Sequence, residues 1–143
     1  MFSTSLLLLL AVASYVQGEE LTQPASMTVQ SSQSLSINCK VSYSVTSYYT
    51  AWIRQPAGKA LDWIGYISNN GGTVYSDKLK NKFSISRDTA TNTITIRGQN
   101  LQTEDTAVYY CARSAGYYYS YFDYWGKGTQ VTVTSAVQSA PKS

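Results

Sequence analysis

The sequence predicts an all-β domain, an antiparallel sandwich or barrel, on three observations. Short segments alternate apolar and polar residues with period two: Leu35-Ser-Ile-Asn-Cys39-Lys-Val41, Phe83-Ser-Ile-Ser86, Ile94-Thr-Ile96, Val108-Tyr-Tyr-Cys111 and Gln130-Val-Thr-Val-Thr134. Such alternation marks strands with one face in a core and one in water. Val, Ile, Thr and Tyr fill these segments, and they suit a pleated, half-buried surface. Turn chemistry separates the strands, as in Pro56-Ala-Gly58 and Asn69-Asn-Gly-Gly72, where Pro presets φ and Gly supplies φ > 0. No stretch of about ten residues after Glu19 carries a helical period. Many short strands joined by turns give two packed sheets or a closed one.

The ends read differently from the middle. Leu6 to Ala13 is unbroken hydrophobic, and Val16-Gln-Gly18 offers residues a signal peptidase accepts. Residues 1–18 therefore read as a secretory signal peptide, with the mature start near Glu19. The apolar run falls short of the roughly 20 residues a membrane span needs. No Lys or Arg precedes it, so only the amino terminus supplies positive charge. Residues 19–135 read as one domain. Residues 136–143 lose the alternation, are small and polar, and contain Pro141; they read as the start of a linker or of a next domain. A secreted chain matures in an oxidising compartment, so its two cysteines, Cys39 and Cys111, are expected to form one bridge. Closing so long a loop contributes roughly 4 kcal/mol on the chain-entropy account.

Composition excludes several functions. The net charge of +3 is mild. Lys78, Lys80 and Lys82 cluster without interleaved aromatics and read as a solvated strand edge or turn, so no nucleic-acid partner is expected. The chain has no His, which removes Ser-His-Asp catalysis and His-ligated metals. With both Cys in a bridge no thiolate ligand remains. Gly126-Lys-Gly128 lacks the length and the following helix of a phosphate loop and reads as a bulge opening the last strand. No enzyme, metal or cofactor is expected. No Asn-X-Ser/Thr sequon occurs.

Spacing then becomes specific. Trp52 follows Cys39 by 13 residues, as an indole filling a sandwich core beside an inter-sheet disulfide would. Tyr109 stands two residues before Cys111, within Asp105-Thr-Ala-Val-Tyr-Tyr-Cys111. That is the spacing of a tyrosine corner, in which the phenol bonds backbone near the start of its strand. Together Cys39, Trp52, Asp105, Ala107, Tyr109 and Cys111 resemble an immunoglobulin variable domain, and specifically a heavy-chain variable region with its leader. The resemblance spans about Glu19 to Ser135. Trp52-Ile-Arg-Gln-Pro-Ala-Gly-Lys-Ala-Leu-Asp-Trp-Ile-Gly65 looks like the second heavy-chain framework, and Phe83-Ser-Ile-Ser-Arg-Asp88 like part of the third. Trp125-Gly-Lys-Gly-Thr-Gln-Val-Thr-Val-Thr-Ser135 looks like a heavy-chain joining segment. Light chains and T-cell receptor chains usually begin that segment with Phe. A T-cell receptor chain, opposed by Trp125, Leu61 and Trp63, and a non-rearranging V-type adhesion or innate receptor are the alternatives. Ala136 onwards resembles the opening of a first constant domain.

The resemblance implies a V-type sandwich of about nine antiparallel strands with Greek-key connections, and antigen recognition by an antibody or B-cell receptor. Three hypervariable loops follow: residues 43–50, 67–73 and 112–124. Ten of the 13 tyrosines fall in these loops or at their edges. Tyr has two side-chain torsions, an apolar ring and a polar tip, so it contacts many surfaces at low entropic cost. Tyr48, Tyr49, Tyr66, Ser68, Asn69, Asn70, Tyr117, Tyr118, Tyr119 and Tyr121 are the expected antigen contacts. Val45, Ile67, Phe122 and Tyr124 are expected to pack on the scaffold or a partner. Arg113 with Asp123 is expected to bridge the base of the third loop, and Lys82 with Asp105 to clamp the opposite end. Many heavy chains carry Arg where Lys82 stands, and Lys lacks the planar fork, so a softer clamp is expected. Ile53, Gln55, Leu61, Trp63, Tyr110 and Trp125 match the face that meets a light chain. Single-domain antibodies make that face polar; here Leu61 and Trp63 are intact, so light-chain pairing is expected. The localisation implied is secreted or cell-surface, with membrane attachment only through downstream segments.

Overall fold

The computed structural model describes residues 18–114 and 121–135. The expected leader, except for Gly18, and the expected constant-region start at 136–143 lie outside them. Among the described residues eleven strand segments run in chain order: β1 Leu21–Thr22, β2 Ser26–Gln30, β3 Leu35–Val41, β4 Tyr49–Pro56, β5 Asp62–Ile67, β6 Thr73–Tyr75, β7 Phe83–Asp88, β8 Thr93–Gly98, β9 Ala107–Ser114, β10 Phe122–Trp125 and β11 Thr129–Thr134. A turn of 3₁₀ helix, Thr103–Asp105, precedes β9. One sheet has the order β1-β3-β8-β7; the other has β2-β11-β9-β4-β5-β6, with β10 also on β9. The chain changes sheets between β1 and β2, between β2 and β3, between β3 and β4, between β6 and β7, and between β8 and β9.

The expected nine strands are these eleven segments with two strands interrupted. The first is broken at Pro24, which cannot donate to a ladder. Its front piece β1 pairs with β3, and its rear piece β2 moves to the other sheet beside β11. The last is broken at Gly126-Lys-Gly128, where Gly128 has φ +95°. A Cβ on Gly128 would also sit 2.6 Å from Val108, so the bulge requires glycine. The antiparallel expectation needs one amendment. β2 and β11 run parallel, with Ser26 opposite Gln130 and Gln30 opposite Thr134, because the first strand crosses over instead of returning by a hairpin.

The alternation read from sequence becomes the core. β3 runs buried-exposed throughout its length, burying Leu35, Ile37, Cys39 and Val41. These residues meet Trp52, Ile64, Ile85, Ile94, Ile96, Tyr109 and Val131 from both sheets. Cys39 on β3 and Cys111 on β9 form the disulfide, with Cα atoms 6.5 Å apart. Trp52 lies directly across the ladder from Cys111 and is fully buried. Gln23 fills the gap left by the break in the first strand. Its Nε2 donates to Tyr109 O at 2.8 Å and Thr129 Oγ1 at 2.9 Å, while its Oε1 accepts from Cys111 N at 3.2 Å and Gly128 N at 3.3 Å.

The end of the sandwich near the 3₁₀ turn is closed by charge. Tyr109 donates its hydroxyl proton to Asp105 O at 2.7 Å, the geometry of a tyrosine corner. The Asp105 carboxylate takes Lys82 Nζ at 2.7 Å and Arg54 Nη1 at 2.9 Å, and accepts from Gln102 N at 2.8 Å. Arg54 is the partner that sequence reasoning omitted, and it supplies the guanidinium that Lys82 lacks. The clamp is thus two cations on one buried carboxylate, not the softer single pair expected.

Burial alone would raise the Asp105 pKa, but the hydrogen bonds from Lys82, Gln102 and Arg54 outweigh it and hold the carboxyl below its ordinary value. The folded pKa is therefore below the unfolded one. The stabilisation is present above the unfolded value, about 4, and is lost as pH falls through the folded value. Asp105→Asn should cost about 1.5–3 kcal/mol near neutrality, because buried Arg54 loses the nearer of its two carboxylates, at 2.9 Å, and keeps only Asp62, at 3.3 Å. In urea melts across pH, the gap between variant and parent should close below pH ~4 as Asp105 protonates; a gap independent of pH would contradict this account.

Candidate binding surface

Three strand ends meet at the other end of the sandwich. Tyr49, at the start of β4, lies opposite Ser114 at the end of β9, and Thr50 lies opposite Ile67 at the end of β5. The connections between β3 and β4, between β5 and β6, and between β9 and β10 therefore emerge at one level. Tyr117, Tyr118 and Tyr119 lie in the last of these, outside the described residues.

Two arginines hold the bases of these connections. Arg87, on β7, donates Nη1 to Asn69 O at 2.7 Å, Val45 O at 2.9 Å and Ser68 O at 3.3 Å. One guanidinium thus ties the first connection to the second. Val45 and Ile67 beside it are buried in the core, and Val45 N donates to Asn92 Oδ1 at 3.2 Å. Neither Arg87 nor Asn92 was singled out from sequence. In an alternating strand and a turn they read only as polar residues facing water.

Arg113 occupies the third base. Its Nε donates to Asp123 Oδ1 at 3.1 Å and its Nη2 pairs with Oδ2, a two-pronged contact. Glu19 Oε2 lies 3.8 Å from Nη1. The guanidinium sits 3.9 Å from the ring centre of Tyr48, 4.7 Å from that of Tyr124 and 5.4 Å from that of Tyr43, a cation enclosed by π faces. The hydrogen bond from Arg113 is the main influence holding the Asp123 carboxyl below its ordinary pKa. Burial pushes the Tyr43 hydroxyl, which bonds Thr50 Oγ1 at 2.7 Å, up to about 12.

The expected contact residues divide. Asn69, Asn70 and Tyr121 are exposed, Tyr121 by 63%. Tyr49 and Tyr66 are half-buried with ring centres 5.3 Å apart, and Tyr66 continues onto Trp63 at 6.1 Å. Two residues expected as contacts also interact within the domain. Tyr48 is half-buried, with one face on Arg113 and its ring edge-on to Tyr43 at 5.5 Å. Ser68 is 8% exposed, and its hydroxyl donates to Asn70 Oδ1 and accepts from Gly72 N. Phe122 packs on Ala51, Ile53 and Ala112, and Tyr124 packs against the main core.

A second surface lies on the outer face of the larger sheet. Leu61 is 54% exposed and Trp125 43%. Trp63 is half-buried, Tyr110 is half-buried against Trp125, and Gln55 is exposed. Tyr110 and Phe122 meet the Trp125 ring edge-on at 6.0 Å and 5.4 Å. Ile53, expected on this face, is instead buried beneath it with Ala51 and Ala112, and so supports the surface without lining it.

Residues 22–134 match the family model of the immunoglobulin V-set domain. Curated relatives agree along most of the chain. The Ig heavy chain V region XIG14 of Xenopus laevis is 43% identical over 85% of this chain and 90% of its own length. The Ig heavy chain V region MOPC 315 of Mus musculus is 45% identical over 91% and 96%. A second mouse region, MOPC 141, is 49% identical over 75% and 79%.

Replacing Arg87 by Ala, which removes the one nitrogen that bonds all three carbonyls, should speed amide hydrogen exchange around Val45 and Gly71 with little change in melting temperature. Asp123→Ala should do the same at Arg113 and Ser114. Exchange indistinguishable from the parent in either variant would show that the guanidinium does not hold that base.

Proposed function

The chain belongs to the immunoglobulin V-set family, among its heavy-chain variable regions, and on that premise we propose that it recognises antigen through the tip where its three connections converge. The observation that carries this reading is that convergence: connections from β3, β5 and β9 emerge at one level above bases that Arg87 and Arg113 hold. Rigid anchorage lowers the entropic cost of binding. Tyr49, Tyr66, Asn69, Asn70 and Tyr121, with Tyr117, Tyr118 and Tyr119, form the contact set. Tyr48 and Ser68 serve it indirectly, one as a lid on Arg113 and the other as the brace of a turn. Residues 43–50 and 67–73 contain no charged side chain, so affinity comes from ring burial and hydrogen bonds, many through water.

The partner proposed for the outer face of the larger sheet is an immunoglobulin light chain. Leu61 and Trp125, large, apolar and exposed next to Trp63 and Tyr110, form the kind of patch that marks an interface. The protein so assembled is secreted or displayed at the cell surface.

Grafting residues 43–50, 67–73 and 112–124 onto another heavy-chain framework, paired with the same light chain, should transfer binding to an antigen found by screening the parent. Binding that stays with the parent framework would overturn the assignment. Measured with a light chain neutral at its own tip, affinity should change little between low and moderate salt; a steep loss would show that ion pairs dominate. Leu61→Glu should abolish co-purification with light chain while leaving the melting temperature of the domain unchanged, and retained pairing would overturn the proposed interface.

A further inference from the structure

The turn between β5 and β6 contains a reaction waiting on its own backbone. Among the asparagines at 38, 69, 70, 81, 92 and 100, only Asn70 precedes glycine. Asn70 is exposed, and Gly71, at φ +95°, presents its amide without a side chain in the way. The Asn70 Oδ1 accepts two hydrogen bonds, from the Ser68 hydroxyl and from Gly72 N at 3.2 Å. Two donors on one carbonyl oxygen polarise its carbon and are aimed where negative charge would gather during nucleophilic attack. We propose that Asn70 is a site of spontaneous deamidation, promoted by this two-donor cradle and converted to aspartate and isoaspartate.

The steps balance with water as the only co-reactant. Solvent hydroxide removes the Gly71 amide proton, once that N–H leaves its 3.0 Å bond to Ser68 O. The nitrogen attacks Asn70 Cγ, and the N–Cγ bond forms while the oxyanion rests in the cradle. The Cγ–Nδ2 bond then breaks, and ammonia departs with a proton from water. Water opens the resulting cyclic imide at either carbonyl, giving aspartate with the original backbone or isoaspartate with the chain rerouted through the side chain. Overall, one amide and one water become one acid and ammonia. The other asparagines lack this arrangement. Asn38 lies within β3 and accepts from Thr95 Oγ1 at 2.8 Å, Asn92 accepts from Val45 N, and Asn100 is followed by buried Leu101.

The product is not confined to its turn. A Cβ built on Gly71 would lie 3.3 Å from Arg87 Nη2, so the guanidinium that ties the first two connections runs beside the modified segment. A new carboxylate there competes with Val45 O, Ser68 O and Asn69 O for Arg87. The reaction requires no antigen and is independent of the proposed binding role.

The test incubates the purified secreted protein, and the same protein unfolded in urea, in mildly alkaline buffer. Peptide mapping by mass spectrometry with an isoaspartate-resolving separation follows each asparagine. Asn70 should convert first in the folded protein, at least as fast as in urea, and give both isomers. Ser68→Ala should slow the folded-state conversion several-fold and leave the urea-state rate unchanged, and Ser68→Thr should restore it. Two results would overturn the proposal: an intact Asn70 in folded protein while the unfolded chain converts, or a folded-state rate in Ser68→Ala equal to the parent's.

Discussion

The structure depends on how β9 is fixed. That strand pairs with β4, β10 and β11, and Cys111 near its middle bonds it to Cys39 in the opposite sheet. Trp52, across the ladder from Cys111, fills the space that the bridge spans. A covalent pin through the centre leaves the two ends of β9 free to do different work. Before it, Asp105 and Tyr109 close the sandwich; beyond it, Arg113 anchors a connection. If the strand slid by one residue every side chain along it would change faces, so both ends rely on the pin and on the indole packed against it.

Charge is distributed to match. Arg54, Arg87 and Arg113 are at most partly exposed, and each is satisfied by carboxylates, carbonyls or ring faces. The tips beyond them, in the first two connections, carry no charge. Fixed cations cost desolvation, which their partners offset, and they hold loop bases more firmly than apolar contacts alone would. Supporting electrostatics and uncharged contact surface are thus kept a few ångströms apart. Within the set of residues expected as contacts, Tyr48 packs on Arg113 and Ser68 is buried.

Sequence carried the fold further than the site, for physical reasons. Alternation exposes a strand's buried face directly, and the relative positions of Cys39, Trp52, Tyr109 and Cys111 reflect the layering of two sheets. The bulge at Gly126–Gly128 is legible from its glycines, whereas the break at Pro24 is harder to place, because a broken strand still alternates. Arg54 was missed because β4 is buried on both faces from Thr50 to Arg54, so alternation gives no sign that a charge lies inside. The packing of Tyr48 on Arg113 is not legible either, because the two lie far apart in sequence. Arg87 looked like any solvent-facing residue of a half-buried strand, since only the folded chain brings the carbonyls at 45, 68 and 69 within its reach. Local pattern reports burial; it does not report partners recruited over long separations.

The parallel pairing of β2 with β11 has a consequence for biosynthesis. Residues near the beginning of the chain have their ladder partner almost at the far end, and β11 also completes the flank of β9. As the polypeptide leaves the ribosome from its N-terminus, β2 must wait, edge unsatisfied, until Thr134 has cleared the exit tunnel. The domain is closed by β11, so the nascent chain spends most of its translation with open strand edges that a chaperone can shield.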